Sequence, residues 1–335
     1  MRHVADMAGV AMSSVSRVLS GHPDVSTPMR DRVLAAVAEL GYEPDFLAQS
    51  LRRGATLSVG FVVGDISNPL MADIASGAES VLRGAGYSML LMNSENDPAL
   101  DAAHIRFFQS RRVDGMVLSL ASERKRGTID LLAQLEAPVV VVDRDVPARV
   151  RASAVLSDHA AGMRAAVNHL LDLGHRRMAL ITGALETRPG RVRLNSMRDA
   201  IAARGPHDGA LYMTGSFSAE HGESATDEVL DQREPPTAIV AGGNQLLIGC
   251  LRTLQRRGLE VGRDISLVTC DDVPLTELYH PPIASISRDS VALGRTAAEL
   301  LLARLGGDDQ PRTVVLPTTF IPRASLARND AVAPG

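Results

Sequence analysis

The chain has 335 residues, 45% of them hydrophobic, enough for two or three domain-sized cores. A formal net charge of −4 excludes a polyanion binder that works by bulk electrostatics, and 3% aromatics with no tryptophan leave few ligand-stacking side chains. No basic segment followed by an apolar stretch opens the chain, and no apolar run approaches the ~20 residues of a spanning helix; the expectation is a soluble, cytoplasmic protein.

The first fifty residues read as helices. Val4–Ala8 and Ser13–Leu19 are short and separated by Gly9-Val10-Ala11. In "STPMRDRVLAAVAELG", Ser26 or Thr27 can cap, Pro28 suits a first turn, and Gly41 suits the left-handed position after a helix. Val33, Val37 and Leu40 recur at helical spacing on one apolar face. "PDFLAQSLRRG" (44–54) is a fourth, marginal helix.

From Thr56 the pattern changes. The runs "LSVGFVV", "YSMLLMN", "VDGMVLSL" and "PVVVVD" read as strands, with the helices "PLMADIASGAESVLRGAG", "DAAHIRFFQSRR" and "IDLLAQLE" between them. A second series opens at "SDHAAGMRAAVNHLLDLG" and continues through the strands "RMALIT", "TAIVAG" and "DISLVTCDD". Buried strands alternating with helices mark parallel sheets covered on both faces. Two such units, in line, suit a two-lobed receptor that closes on a small ligand at the strand C-termini. The two cysteines, Cys250 and Cys270, lie in apolar segments and read as buried thiols, with neither disulfide nor metal spacing. "RNDAVAPG" (328–335) reads as a disordered tail.

Two short helices joined by a glycine-containing turn form a helix-turn-helix, whose second helix can enter the DNA major groove. Val4, Ala5, Ala8, Val10, Val15, Val18 and Leu19 supply a small shared core, leaving Met12, Ser13, Ser16 and Arg17 to face outward. Arginine is the usual bidentate reader of guanine.

At this point the chain resembles the lactose-repressor (LacI/GalR) family of bacterial transcription regulators. "DMAGVAMSSVSRVLSG" resembles the family's helix-turn-helix, and "LGYEPDFLAQSLRRG" its third helix and hinge helix. "VGFVVGDISNPL", "VDGMVLS", "VVVVDRD", "LLDLGHRRMALITG", "RVRLNSM" and "DISLVTCDDVPLTELYHPPI" follow in matching order and spacing. The fold so implied is α/β: an N-terminal all-α helix-turn-helix domain, then a two-lobed, periplasmic-binding-protein-like domain with doubly wound parallel sheets. Its expected bounds are residues 1–43 for the DNA-binding domain, 44–55 for the hinge helix and linker, 56–325 for the effector-binding and dimerisation domain, and 326–335 for the tail.

The resemblance implies a regulator of palindromic operator DNA, expected to be a repressor, that acts as a homodimer under a small-molecule effector, a sugar or related metabolite. Met12, Ser13, Ser16 and Arg17 then sit where side chains reach DNA, and Ala48 and Leu51 lie on the hinge helix. Leu51 would wedge into the central minor groove and kink the duplex, or else rest on the effector domain as a linker leucine. Three features depart from the family. Ala11 stands where serine usually opens the recognition helix, at ~1 kcal/mol of helix stability. His3 stands where an acidic residue usually opens the first helix of a longer chain, implying a start upstream of Met1 or a trimmed helix. Residues 1–53 hold six arginines and six acids, so phosphate attraction is weak and dimeric geometry must carry more of the affinity.

For the effector, the resemblance implies Asp65, Asn68, Leu70 and Asp143 in the first lobe, and Arg193, Phe217, Asn244 and Asp271 in the second. Carboxylates and an arginine grip vicinal hydroxyls there, and an aromatic face covers a sugar's C–H side. Asp143 and Asp271 each end an apolar strand, where doubly wound sheets bind ligands. Gly243-Asn244 replaces the family's frequent Asn-Asp or Asn-Asn pair, and Ser290 replaces a bulkier group. Both imply a roomier pocket, for an effector larger than a hexose or of another class.

Other classes fit less well. The histidines show no zinc or relay spacing, and Gly84–Gly86 ends a helix instead of following a strand, so neither an enzyme nor a bound cofactor or metal is expected. A periplasmic-type binding module, or a two-lobed protein with weakened or lost DNA binding, is the alternative. A chain end without a leucine-heptad tail favours a dimer over a tetramer.

Overall fold

The computed structural model describes residues 1–19, 22–42, 55–205 and 209–329. The chain divides into two compact units, Met1–Leu57 and Ser58–Gly335.

The first unit contains α1 (Arg2–Ala8), α2 (Met12–Leu19) and α3 (Thr27–Glu39). Gly9 ends α1 at φ 62°, a left-handed conformation that glycine adopts without steric penalty, and the chain turns there into α2. Val4, Ala5 and Ala8 of α1, Val15 and Val18 of α2, and Val33 and Ala36 of α3 form the buried core, with Val10, Leu19 and Val37 packed around it. Ser26 holds the cap position of α3, but its side chain accepts no bond from the first turn. Leu40, expected on the apolar face, is 40% exposed because it falls just beyond the end of α3.

The second unit is two α/β lobes. The first contains β1 (Ser58–Val63), α4 (Pro69–Gly84), β2 (Ser88–Asn93), α5 (Pro98–Ser110), β3 (Gly115–Leu118), α6 (Arg126–Ala133), β4 (Val139–Val142) and β5 (Ala152–Ser157). The second contains α7 (His159–Asp172), β6 (Arg177–Thr182), α8 (Arg188–Ala202), β7 (Gly209–Thr214), α9 (Ala219–Leu230), β8 (Ala238–Ala241), α10 (Asn244–Arg256), β9 (Ser266–Cys270), α11 (Pro274–Leu278) and β10 (Ala284–Ser287). Then α12 (Ser290–Leu305) and β11 (Thr313–Leu316) return to the first lobe, and β12 (Thr319–Ile321) to the second.

The first sheet runs β11-β5-β4-β3-β1-β2, all parallel, and the second β12-β10-β9-β8-β6-β7, parallel except at β12. Alternating side chains feed opposite faces. Val59, Phe61 and Val63 meet Ile74 of α4 and Leu293 and Leu301 of α12, whereas Val62 meets Ile105 and Phe108 of α5. Both faces are dry, which is why β3 and β4 read as unbroken apolar runs.

Two corrections follow from this topology. The lobes are not in line: α12 and β11, though they follow the second lobe's strands, complete the first lobe's core and sheet edge. The tail expected from 326 is integrated into the fold as far as 329. Leu326 packs on the second-lobe core, the Ala327 N–H donates to Ser266 Oγ at 2.9 Å, and the Asn329 N–H donates to the Leu173 carbonyl at 2.9 Å. These hydrogen bonds and the Leu326 contact hold a segment that carries no local pattern of its own. The remaining tail residues, 330–335, lie outside the described residues. Both cysteines are buried, and burial pushes the Cys250 thiol up to about 11, so neither is a reactive thiolate. No helix among the described residues is long and apolar enough to cross a membrane.

Candidate nucleic-acid interface and ligand cleft

In α2, Val15 and Val18 turn into the core, which points the opposite face to solvent. Met12 is 51% exposed, Ser13 and Arg17 are exposed, and Ser16 is half-buried. Residues 12, 13, 16 and 17 share a single face at helical spacing, the arrangement a groove-reading helix needs. Ala11 precedes α2, and its carbonyl accepts from Ser14 and Val15, but its methyl can cap nothing. Ala48 and Leu51 lie outside the described residues.

In the second unit, the C-terminal ends of both parallel sheets face one cavity of about 70 Å³. Asp65, Asn68, Leu70 and Asp143 line it from the first lobe, and Arg193, Phe217, Asn244 and Asp271 from the second. Asn68 caps α4 through its Oδ1, which accepts from Leu70 N–H at 3.0 Å and from Asn244 Nδ2 at 2.8 Å. That second bond spans the lobes. Asp65 turns back on its own loop, its Oδ1 accepting from Ser67 N–H and Oγ–H at 2.9 and 2.7 Å. Phe217 stacks where a side chain at Gly183 would stand: a Cβ there would fall 2.1 Å from the ring, so glycine is what admits the aromatic. Arg193 Cζ lies 5.9 Å from the centre of the same ring.

Asp143 and Asp271 occupy equivalent strand ends at φ 50° and 76°, and both are buried. The residue that joins them is Arg288, at the end of β10. Its Nη1 bonds Asp143 and its Nε bonds Asp271 Oδ1 at 2.9 Å, so one guanidinium ties the first lobe to the second. Asp143 also accepts from Ser157 N–H at 2.6 Å and Ser157 Oγ at 3.1 Å. Burial pushes the Asp143 carboxyl up, but the facing His159 and Arg288, with the Ser157 bond, outweigh it and hold the carboxyl well below its ordinary range. Burial drives His159, 3.4 Å from Asp143, down to about 4, so its ring is neutral near pH 7.

A second tie runs along the cleft edge. Glu123 of the first lobe accepts from Arg188 N–H at 2.5 Å and from Arg191 Nη2 at 2.6 Å, and Arg191 also reaches Asp145 at 2.9 Å. Sequence reasoning missed Arg288, His159, this Glu123 cluster, and Arg144, which lines the cavity and donates from Nη1 to the Asp143 carbonyl at 2.9 Å. Arg288 did carry a signal, since it follows a short apolar strand as Asp143 and Asp271 do. Ser290, expected to enlarge the pocket, does not line the cavity. It begins α12 on the far side of Asp289, which caps that helix. At Gly243 a Cβ would lie 3.5 Å from Phe217, so glycine does leave space beside the ring. Among the described residues no group of three or more His, Cys, Asp or Glu could hold a metal ion.

A helix-turn-helix unit with a polar row turned outward, and a two-lobed α/β unit with a polar cavity between its sheets, together define a DNA-binding transcription regulator with a small-molecule site. The chain belongs to the lacI family of bacterial regulatory proteins. Residues 1–45 match that family's DNA-binding region, and residues 167–326 match the periplasmic binding protein-like domain. Over 313 residues the chain is 31% identical to the HTH-type transcriptional repressor PurR of Haemophilus influenzae, covering 92% of each. It is 30% identical to the ribose operon repressor of the same species over 331 residues, 97% of this chain and 98% of the relative. The crystal structure of the lac repressor dimer bound to operator and the anti-inducer ONPF superposes with a TM-score of 0.86 at 28% identity, over 97% of this chain and 98% of that one.

Proposed function

We propose that this protein is a cytoplasmic homodimeric repressor whose affinity for a palindromic operator is set by a small polar metabolite, a sugar or a derivative of one, held in the interlobe cleft. Its role is binding, not catalysis. Met12, Ser13, Ser16 and Arg17 meet the major groove, with Arg17 as guanine reader. Ala48 and Leu51 meet the minor groove, Leu51 as wedge. Asp65, Asn68, Leu70, Asp143, Arg193, Phe217, Asn244 and Asp271 surround the effector.

The observation that carries this reading is the meeting of residues from both lobes around one cavity, tied across by Asn68 and Asn244. A ligand gripped by both lobes changes the angle between them, and that is a lever on a dimer. The structure of the lac repressor dimer with both operator and anti-inducer, and the ribose operon repressor among the relatives, support the dimer, the DNA and the ligand class.

The test is selection of a palindromic site from a random DNA pool, followed by titration with wild type and Arg17→Ala. Loss of one bidentate base contact costs about 1–3 kcal/mol per half-site, so Arg17→Ala should abolish the preference for the selected site over scrambled DNA. Failure of the wild type to select any site removes the operator reading, and unchanged discrimination by Arg17→Ala removes that side chain from it.

A further inference from the structure

Arg288 raises a question about which ligand this cleft accepts. The two carboxylates best placed to accept from sugar hydroxyls, Asp143 and Asp271, are already engaged by its guanidinium. Asp143 is close to saturated: one oxygen takes the Ser157 N–H, and the other takes Arg288 and the Ser157 hydroxyl. A carboxylate offers about four lone-pair sites, so little acceptor capacity remains for a ligand.

Donor capacity, in contrast, is left over. Arg193 is 3% exposed and its Nη1 donates to the Gly242 carbonyl, yet its buried Nε has no hydrogen-bond partner. A buried charged donor without an acceptor is costly, and such groups mark the place of a missing partner. The chain then passes from Gly242 to Gly243 and into α10, thirteen residues long, and no side chain caps its N-terminus. Gly243, Asn244, Gln245 and Leu246 line the cavity, so this uncapped helix start and Arg193 share one wall. The three aspartates and three arginines of the lining cancel in full charge. What remains is the positive end of α10, equivalent to roughly half a positive charge, since the starts of α4 and α8 are already met by the Asn68 side chain and the Glu123 carboxylate.

We propose that the ligand carries an anionic group, a carboxylate or a phosphate, seated on Arg193 Nε and the first N–H groups of α10. Arg288 sets this preference by occupying, with Ser157, most of the Asp143 carboxylate and by taking one oxygen of Asp271, acceptors that would otherwise take hydroxyl protons. An anion has no protons to place there and accepts from every donor left free, whereas a neutral polyol leaves its hydroxyl protons short of acceptors. The remainder of the ligand lies against the Phe217 ring. This inference rests on the cleft being the effector site.

The test begins with inorganic phosphate as probe. It should raise the melting temperature of the wild type and leave that of Arg193→Gln unmoved. Calorimetric titration then compares ribose 5-phosphate with ribose, and galacturonate with galactose. The acid of at least one pair should bind at least about tenfold tighter than its neutral parent, the worth of one charge-assisted hydrogen bond. The pair with the larger ratio distinguishes phosphate from carboxylate. Arg288→Gln should reduce that ratio towards one by releasing Asp143 and Asp271; if this variant does not fold, the Arg193→Gln and wild-type arms decide. No shift with phosphate, a shift that survives Arg193→Gln, or neutral parents that bind as tightly as the acids would overturn the proposal. A neutral ligand lost on Phe217→Ala removes the anion but keeps the cleft as effector site. Any ligand that binds undiminished in both Arg193→Gln and Phe217→Ala sits elsewhere, and the cleft loses that role as well.

Discussion

The helical unit and the cleft treat charge in opposite ways. Among the described residues of 1–57, every buried side chain is alanine or valine, and the residues assigned to DNA stand on the outside. In the cleft the side chains of Asp143, Asp271, Arg193 and Arg288 are buried among themselves, and groups that line the cavity also join the two lobes. In the first region stability comes from apolar area and function from separate side chains, so the two can be altered independently. In the second they reside in the same atoms. A substitution there changes fold and binding together, because taking away one partner strands a buried charge.

The largest expected effect lies at that junction. Arg288→Ala removes the guanidinium that Asp143 and Asp271 share, leaving these buried carboxylates only Ser157 and His159 and the looser Arg188 and Arg193 contacts, and should cost about 3–5 kcal/mol in urea unfolding. Adding Asp143→Asn and Asp271→Asn should recover most of this loss. If the triple variant is as unstable as the single one, the cost comes from lost packing and the contrast in charge handling fails.

His159 should show a smaller effect, and only in acid. Its folded pKa of about 4 lies below the ordinary 6.5, so between those values the unfolded chain binds a proton that the folded one does not. Stability therefore falls as pH drops from 6.5 towards 4, by about 3 kcal/mol over the whole window, and is unaffected above it. His159→Asn should flatten this slope in melting curves taken at pH 7, 6, 5 and 4.5. Parallel curves for the two proteins would place the acid sensitivity in another group. No such slope should arise from the described core of the helical unit, whose buried side chains are alanine and valine.

The smallest effect belongs to the helical unit. Ala11→Ser supplies the missing cap of α2 and should stabilise that unit by about 1 kcal/mol, with tighter operator binding and no change at the cleft. A matching change in ligand affinity would show that the two regions are not separable.

Much of the helical unit was legible because its environment is set within a few residues. Period 3.6 puts Val15 and Val18 on one side of α2 and Met12, Ser13, Ser16 and Arg17 on the other, and the core followed from it. Leu40 went astray for a local reason too, since the periodicity ran on past the end of α3. Edge and small-residue strands escaped notice: β5 is "ASAVLS", β7 is only half-buried, and β12 has three residues. None of these offers a long apolar run or clean alternation.

In the cleft the same limit has a sharper form. Asp143 and Asp271 could be picked out because each ends an apolar strand, a one-dimensional mark. Arg288 ends one also, yet its role depends on carboxylates 145 and 17 residues away, which only the return of the chain between lobes brings together. Sequence alone determined the helix-turn-helix, its outward row and the alternation of strands and helices, since each is written in contacts between near neighbours along the chain. The tertiary structure alone decided that α12 and β11 belong to the first lobe, that Ser290 lies off the cavity, and that one arginine occupies both carboxylates. A helix has the same apolar stripe whichever sheet it covers, and a charge acquires its meaning only from the charges folded against it.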